Sequence, residues 1–508
     1  MTTGEPILPP PGVKPVGTET NGSADHGAEI KRGALVNTVT LLVSNFRGVF
    51  TFLVARLLGP ATLGTFLVAW AATDVISKIG MFGLDHTIVA FIARAEAAGD
   101  RARSRSLFHL AVLLAVLQCA LLALIAIAAI QIFGGWLSLP RVMIAQLSLM
   151  LCALPGIALY RICTAVSRGM KVMRHDIFSR GLTDSLVTTI AFLAALSFGA
   201  TTFAPAIALI VGTGASGIVA LVLAWSLFRS APTRPVANSY RAEAWRLLRY
   251  GSSISAYDLL NSLIVRLDLI MLGCFVGSAP GVTLPAVGIY GTVVELAGGL
   301  RQVHQAFNPI FAPIVAGMTA EGEQDLAAVA FARVAQWMLW VLLPLVAVMA
   351  LAGPVILGIY GPAFRQGSMW LVIVAVACAT NALVGLAETV IMVQKPQLNL
   401  INSSITCVVA ILVNLWLINR FGVTGAAFGI LLPYVLLGIL RHRALRQVFR
   451  WRNPWAELGP PILAALLATV PALVGRVMIK GSAGEVIGAA VFLLVYFVAW
   501  RYHRARPA

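Results

Sequence analysis

The chain of 508 residues has a formal net charge of +17, and hydrophobic residues make up 59% of it while charged residues make up 11%. Soluble proteins carry about 25% charged residues, so this composition excludes a soluble multidomain protein. In a soluble chain the basic excess would suggest nucleic-acid binding. Here the cations lie mainly in connectors between apolar stretches, and no nucleic-acid partner is predicted.

The N-terminal segment, residues 1–32, is rich in Pro, Gly and Thr and has no apolar core. This composition predicts a disordered cytoplasmic tail. The segment also lacks the apolar run that a secretory signal requires. The first apolar stretch after it is therefore expected to direct insertion into the membrane.

Apolar stretches long enough to cross a bilayer follow one another from residue 35 to the C-terminus. A transmembrane helix needs roughly 20 mainly apolar residues. The sequence therefore predicts an all-α, polytopic membrane protein with about 14 transmembrane helices. We place them at residues 35–57, 62–84, 107–132, 142–167, 177–198, 204–228, 250–276, 286–316, 329–352, 368–393, 397–419, 422–440, 457–479 and 483–500.

Lysine and arginine are concentrated in the connectors on the N-terminal side of the predicted membrane, where Arg180 and Arg441 are also placed. The positive-inside rule then predicts that both termini are cytoplasmic, which supports an even number of helices. The opposite side holds only a few cations: Arg56, Arg141, Arg365, Arg420, Arg476 and Lys480.

A weak internal repeat relates the two halves of the chain. Gly64 near the start of the second predicted helix matches Gly288 near the start of the eighth, and Lys171 matches Lys395 at the same offset. Single-residue matches also arise by chance. A true repeat with an even number of helices would give two parallel six-helix lobes, related by an axis along the membrane normal. The predicted divisions are an N-terminal lobe at 33–230, a cytoplasmic linker at 231–249, a C-terminal lobe at 250–450, and two additional helices with a short tail at 451–508.

Four arginines lie inside or at the edge of predicted helices, where a charge is costly unless it faces protein or water. Guanidinium groups bind phosphate in a bidentate manner and stay charged at any relevant pH. If these arginines share a cavity between the lobes, they favour an anionic, phosphorylated substrate. The predicted binding set is Arg47, Arg161, Arg266 and Arg301.

Other polar residues of the predicted helices are expected to line the same cavity. Five of them, on the first, seventh and eighth helices, are Asn37, Ser44, Asn261, Gln305 and Asn308. Candidates for ion coupling are Asp258, Asp268, Glu295, Asp74, Lys78 and Glu388.

Several of these charges have a simpler interpretation. Asp74 and Lys78 are four residues apart and could neutralise one another on one helix. Arg180 and Asp184 have the same spacing at a helix entrance. His304 could be a hydrogen-bonded interior histidine or a proton carrier.

Neither a metal site nor a cofactor is predicted. The six cysteines lie in apolar stretches without a CxxC spacing, so neither a disulfide framework nor a metal centre is indicated. A Walker-type GxxxxGK[ST] loop is absent from the sequence, which argues against ATP as the energy source.

Ordered motifs in residues 33 to 450 resemble a known family. The run RLLGPATLGTF at 56–66 and the GLD at 83–85 resemble the opening of polysaccharide transporters. The second half of that family is similar to RLD at 266–268, VGIY at 287–290, Asn308 with Pro309, and YG at 360–361. These oligosaccharide flippases belong to the multidrug/oligosaccharidyl-lipid/polysaccharide exporter superfamily.

The resemblance implies two bundles of six helices and alternating access in a bacterial inner membrane. It implies flipping of a polyprenyl-pyrophosphate-linked oligosaccharide for lipopolysaccharide, capsule or exopolysaccharide, with H⁺ or Na⁺ as coupling ion and a glycan polymerase as partner. Lipid II flippases and cation-coupled drug exporters of the superfamily are the alternatives. The former have an early Asp-Ala-Phe and Pro-Asn-Leu-Leu-Arg pattern that is absent here, and the latter usually stop at twelve helices.

A membrane enzyme, such as a glycan polymerase or acyltransferase, is an alternative of a different class. Its catalysis would require acids or bases on a long external loop. The predicted external connectors are short and nearly devoid of acids, so the expectation is a transporter without enzymatic activity.

Overall fold

A computed structural model describes residues 47–135, 139–230, 232, 240–449, 455–479 and 481–505. All regular secondary structure in these ranges is helical. Ten helical stretches are long and apolar enough to cross a membrane. The predicted all-α, polytopic architecture is confirmed, while the number of fourteen crossings stays a prediction.

The first helix, α1 (Arg47–Met81), contains a sharp turn that makes it a helical hairpin. Its interior residue Gly59 has φ 77° and ψ 178°, and Pro60 follows. The rings of Phe50 and Phe66 nevertheless lie 5.5 Å apart, whereas sixteen residues of straight helix span about 24 Å. The chain therefore folds back at Gly59.

The N-terminal lobe consists of α1 Arg47–Met81, α2 Leu84–Ala97, α3 Arg101–Phe133, α4 Arg141–Leu151, α5 Leu154–Gly169, α6 Arg174–Asp176, a π-helix Ile177–Thr183, α7 Asp184–Ser197 and α8 Ala204–Ser226.

A second hairpin lies in the C-terminal lobe. Its helix α15 (Pro396–Phe449) has 54 residues. A straight helix of this length would measure about 80 Å, whereas the hydrocarbon core of a bilayer is about 30 Å thick. It folds back at Gly422, where φ is 57°. The remaining helices are α9 Tyr240–Cys274, α10 Leu284–Gly298, α11 Arg301–Ala320, α12 Gln324–Leu351, α13 Gly353–Tyr360, a 3₁₀ helix Pro362–Gly367, α14 Ser368–Gln394, α15 Pro396–Phe449, α16 Trp455–Met478 and α17 Ser482–Ala505.

Asn414 holds the two arms of α15 together, and replacing it with leucine is expected to lower the free energy of unfolding by about 1 kcal/mol. Its buried amide donates to the carbonyl oxygens of Ala410 and Gly429, both at 2.9 Å. Thermal unfolding of the purified protein in detergent measures the change. Ser404→Ala is the control, because that hydroxyl donates only within its own helix, to Leu400 O. Equal stability of the two variants would contradict the role of Asn414.

Along residues 111–124 of α3, the exposed side chains are leucines and the buried side chains are small. This distribution is typical of a helix whose large side chains face lipid and whose small ones allow close helix packing. The exposed residues are Leu113, Leu117, Leu121 and Leu124, and the buried ones are Ala111, Ala115, Cys119 and Ala123.

The two lobes meet at the glycines that the repeat relates. A Cβ built on Gly64 of α1 would lie 2.8 Å from the backbone N of Gly288 in α10. A Cβ on Gly288 would lie 2.9 Å from the backbone N of Gly64. Equivalent residues that contact each other must lie on the axis that relates them. The reciprocal contact therefore agrees with a pseudo-twofold axis between α1 and α10.

Helices α16 and α17 pack against α12 and α13 and form a small core of their own. Its largest members are Trp340, Phe492 and Tyr496, and its small members include Ala468 and Ala472. The main core runs through both lobes instead. This arrangement places the last two helices beside the C-terminal lobe, away from the contact between the lobes.

Candidate functional site

A cavity of about 770 Å³ lies between the two lobes. Its wall is formed by α1 and the π-helix on one side, and by helices of the C-terminal lobe on the other. Of the described residues, four arginines and two glutamates line it, which leaves an excess of two positive charges among them. These residues are Arg180, Arg266, Arg301, Arg441, Glu295 and Glu388.

On the predicted external side the lobes are in contact. Besides the two glycines on the axis, the ring of Phe52 in α1 packs edge-on against Tyr360 at the end of α13, with centroids 5.5 Å apart. Tyr360 also lines the cavity. Tyr360 therefore belongs both to the contact between the lobes and to the wall of the charged cavity.

Arg266 of α9 is held by carboxylates from both lobes. Its Nε lies 3.4 Å from Asp74 Oδ2 in α1, and its Nη1 lies 3.0 Å from Glu295 Oε1 in α10. Asp74 also binds Arg161 of α5, at 3.0 Å from Nη2. The four side chains form a chain of alternating charge that crosses from one lobe to the other.

A second ion pair crosses between the lobes: Lys78 Nζ of α1 lies 2.6 Å from Asp258 Oδ2 of α9. The expected local pairing of Asp74 with Lys78 is therefore wrong, since each binds a partner on another helix. A charge pair along one helix contributes only a few tenths of a kcal/mol. A carboxylate shared by two mainly buried guanidinium groups interacts more strongly.

Arg301 stands at the start of α11, just after the break from α10. A Cβ on Gly298 would lie 2.9 Å from its Nη2, so a larger residue at that position would displace the guanidinium. Within the described ranges no carboxylate lies within 4.0 Å of it. Its guanidinium therefore forms no ion pair with a described carboxylate.

Arg441 of α15 also lines the cavity, and only 1% of its side chain is exposed. Its Nη1 lies 3.0 Å from Glu388 Oε2 of α14, and its Nη2 donates to the hydroxyl of Tyr257 at 3.4 Å. Tyr257 donates in turn to Glu388. Arg441 lies in a helix rather than in the predicted connector, because α15 continues beyond the predicted end of the helix at residue 440.

Other predicted residues divide between the cavity wall and the interior. Asn261 and Gln305 line the cavity, as does His304. Asn308 instead accepts a hydrogen bond from Thr389 at 2.7 Å. Asp268 is 1% exposed and accepts one from Tyr290 at 2.6 Å; neither Asn308 nor Asp268 is on the cavity wall.

Asn37 and Ser44 lie outside the described residues, as does the side chain of Arg47, whose backbone begins α1. Gly48 and Thr51 of the same helix line the cavity. The first helix therefore reaches the cavity wall with the polar side chain of Thr51.

The structure brings together Arg266, Arg301 and Glu295 with Glu388 on the cavity wall, but not Arg161, which binds Asp74 within the N-terminal lobe. Arg180 is a cavity residue that the binding set omitted. It lies within the predicted helix 177–198, although the charge distribution places it in a connector. Its position inside an apolar stretch was the signal that could have identified it.

The described part of the chain contains no group of three or more His, Cys, Asp and Glu residues suited to a metal ion. All six cysteines are free thiols. The charged groups that the described residues contribute to the cavity wall are arginines and glutamates.

Solved structures share the fold of two helical lobes. The lipid II flippase MurJ in an inward closed conformation superimposes with a TM-score of 0.69 at 11% identity, covering 92% of this chain and 98% of that one. An inward-facing multidrug resistance MATE family transporter of the MOP superfamily gives 0.67 at 13% identity, with 81% and 98% covered. The eukaryotic MATE transporter AtDTX14 gives 0.60 at 14% identity, with 84% and 96% covered.

The sequence comparison is more specific. Residues 30–312, more than half of the chain, match the polysaccharide biosynthesis protein family. The chain belongs to this family, with the fold of the MOP transporters. No curated protein sequence matches it significantly.

Proposed function

We propose that this protein is a flippase that moves a polyprenyl-pyrophosphate-linked oligosaccharide across a bacterial inner membrane by alternating access. The observation that carries the proposal is the cavity between the lobes, with its excess of two positive charges and an Arg301 that has no carboxylate partner among the described residues. Membership of the polysaccharide biosynthesis protein family supports a glycan as cargo.

The head group and the cavity are chemically complementary. A diphosphate offers several negatively charged oxygens, and a guanidinium binds such a group through two parallel hydrogen bonds. Arg301 binds the diphosphate first. Arg266 forms a second contact with it once its guanidinium releases Asp74 or Glu295. The amide side chains of Asn261, Gln302 and Gln305 are placed to bind sugar hydroxyls. The prenyl chain stays in lipid, because a polar cavity offers it no gain in free energy.

Release of the head group requires competing anions at the arginines. Glu295 and Glu388 stand on the cavity wall beside Arg266 and Arg441. Protonation or Na⁺ binding at these carboxylates, or at Asp258 and Asp268, would couple transport to an H⁺ or Na⁺ gradient. The product would pass to a glycan polymerase in lipopolysaccharide, capsule or exopolysaccharide synthesis. Both termini are cytoplasmic in this proposal.

A drug exporter is the second candidate, because a multidrug resistance transporter shares the fold. Its cationic substrates would meet a cavity with a positive excess, and like charges in a medium of low dielectric constant repel strongly. Efflux of a cationic dye separates the two functions. A lipid II flippase would use the same head-group chemistry and is separated by the glycan that is transported.

Arg301→Gln is expected to slow flipping at least about tenfold, because a charge-assisted bidentate contact is lost. Proteoliposomes carrying a fluorescent undecaprenyl-pyrophosphate-linked trisaccharide, quenched from outside by dithionite, measure the rate. Complementation of a flippase-deficient strain, at matched membrane abundance, gives the result in cells. Arg420→Gln is the control, because Arg420 packs on Phe421 and is not on the cavity wall. Flipping by Arg301→Gln at the wild-type rate, or dye efflux without flipping, would refute the proposal.

A further inference from the structure

Arg180 lies on the cavity wall within a π-helix, Ile177–Thr183, between α6 and α7. A π-helix turn accommodates an extra residue and is frequent at functional sites. Its neighbours Ser179 and Gly181 are buried, while Arg180 is exposed. The local backbone thus turns the guanidinium toward the cavity and the small residues toward the protein.

Hydrogen bonds fix this segment in place. The carbonyl oxygen of Ser179 accepts from Ser216 Oγ of α8 at 3.0 Å. The Ser179 hydroxyl donates to His175 O at 2.7 Å, and the Thr183 hydroxyl donates to Phe178 O at 2.8 Å. Because these bonds hold the backbone on both sides of Arg180, its position on the wall is set by the fold rather than by a side-chain partner.

The expected pairing of Arg180 with Asp184 is not formed. Asp184 is buried, and no carboxylate of the described chain lies within 4.0 Å of the Arg180 guanidinium. Among the four cavity arginines, Arg266 and Arg441 each bind a glutamate of the same wall. Arg180 and Arg301 do not, and they belong to opposite lobes.

We infer that Arg180 is a second phosphate-binding residue, which binds the diphosphate of the lipid-linked substrate together with Arg301. This inference rests on the proposed function and extends it to the N-terminal lobe. A guanidinium at membrane depth requires a counter-charge or water, and neither of these two has to be displaced from a carboxylate before it binds an anion. A diphosphate has two phosphoryl groups for two planar donor groups. The loaded head group therefore ties the two lobes together.

The test compares binding of farnesyl diphosphate and farnesyl monophosphate to the purified full-length protein in detergent, by titration calorimetry. The wild type is expected to prefer the diphosphate. Arg180→Gln is expected to weaken diphosphate binding about tenfold, with little change for the monophosphate, because one charge-assisted contact is removed. Arg180→Lys keeps the charge but loses the bidentate geometry, so its affinity should lie between the two.

The matched control is Arg174→Gln, which removes an exposed arginine six residues earlier that is not on the cavity wall. It should bind both probes as the wild type does. Thermal unfolding of each variant verifies the fold. If Arg180→Gln weakens both probes equally, or keeps the full preference for diphosphate while Arg301→Gln loses it, the role of Arg180 is refuted and the proposed function stands. If the wild type binds neither probe, the proposed function fails together with the inference.

Discussion

Gly288→Leu is expected to abolish transport while the protein still inserts into the membrane. A Cβ at this position would lie 2.9 Å from the backbone N of Gly64 and would also overlap the backbone of Pro60. Backbone atoms cannot rotate away as a side chain can, so α1 and α10 must separate. The lobes would then stay apart on the predicted external side, and a transporter that cannot close one side cannot complete a cycle of alternating access.

Two measurements check this result. Complementation of a flippase-deficient strain, at matched membrane abundance, should be lost. In a background without native cysteines, a reporter at Leu296→Cys on the cavity wall should react faster with an impermeant maleimide added from outside. Gly64→Leu should behave in the same way, because the contact is reciprocal.

Gly214→Leu is the control for Gly288→Leu, since Gly214 also lies inside a helix but has open space around its Cβ position. It should keep transport close to the wild-type rate. Wild-type transport by Gly288→Leu, with unchanged maleimide reactivity, would show that the glycine contact does not take part in closing the lobes.

The sequence predicted the membrane architecture and the equivalence of Gly64 and Gly288 in a repeat, but not the contact between the two glycines. Long apolar stretches are sufficient to predict transmembrane helices. The offset between Gly64 and Gly288 follows from a repeat along the chain, and their contact in space follows if the repeat is related by a twofold axis. Arg266 and Arg301 could be recognised in the same way, because charged residues stand out in apolar helices.

The partners of the charges could not be predicted in this way. Spacing along one helix favoured Asp74 with Lys78, but Arg161 and Asp258 compete for them from other helices. Arg180 is missing from the predicted binding set because the charge distribution places it in a connector, although the predicted helix 177–198 includes it; no sequence pattern signals the π-helix that carries it. Arg441 was overlooked because its helix continues past the last strongly apolar residue. These features depend on tertiary packing rather than on periodicity.

Asp74→Asn is expected to destabilise the protein by about 3 kcal/mol and to stop transport. Asp74 is the carboxylate that Arg161 and Arg266 share, and the three side chains are only 16 to 17% exposed. Arg266 keeps Glu295 after the change, but Arg161 loses the only carboxylate described within 4.0 Å. Asp258→Asn should have a smaller effect, about 1 kcal/mol or less, because the pair of Asp258 with Lys78 is more exposed.

The double variant Asp74→Asn with Arg161→Gln separates stability from transport. Removing the uncompensated charge of Arg161 should restore most of the lost stability, measured by thermal unfolding in detergent. Transport in the proteoliposome assay should remain absent, because Arg266 has still lost its link to the N-terminal lobe. If transport returns with stability, Asp74 serves only to neutralise Arg161. If it does not, the carboxylate is needed to hold Arg266 across the lobe contact until an anionic head group takes its place.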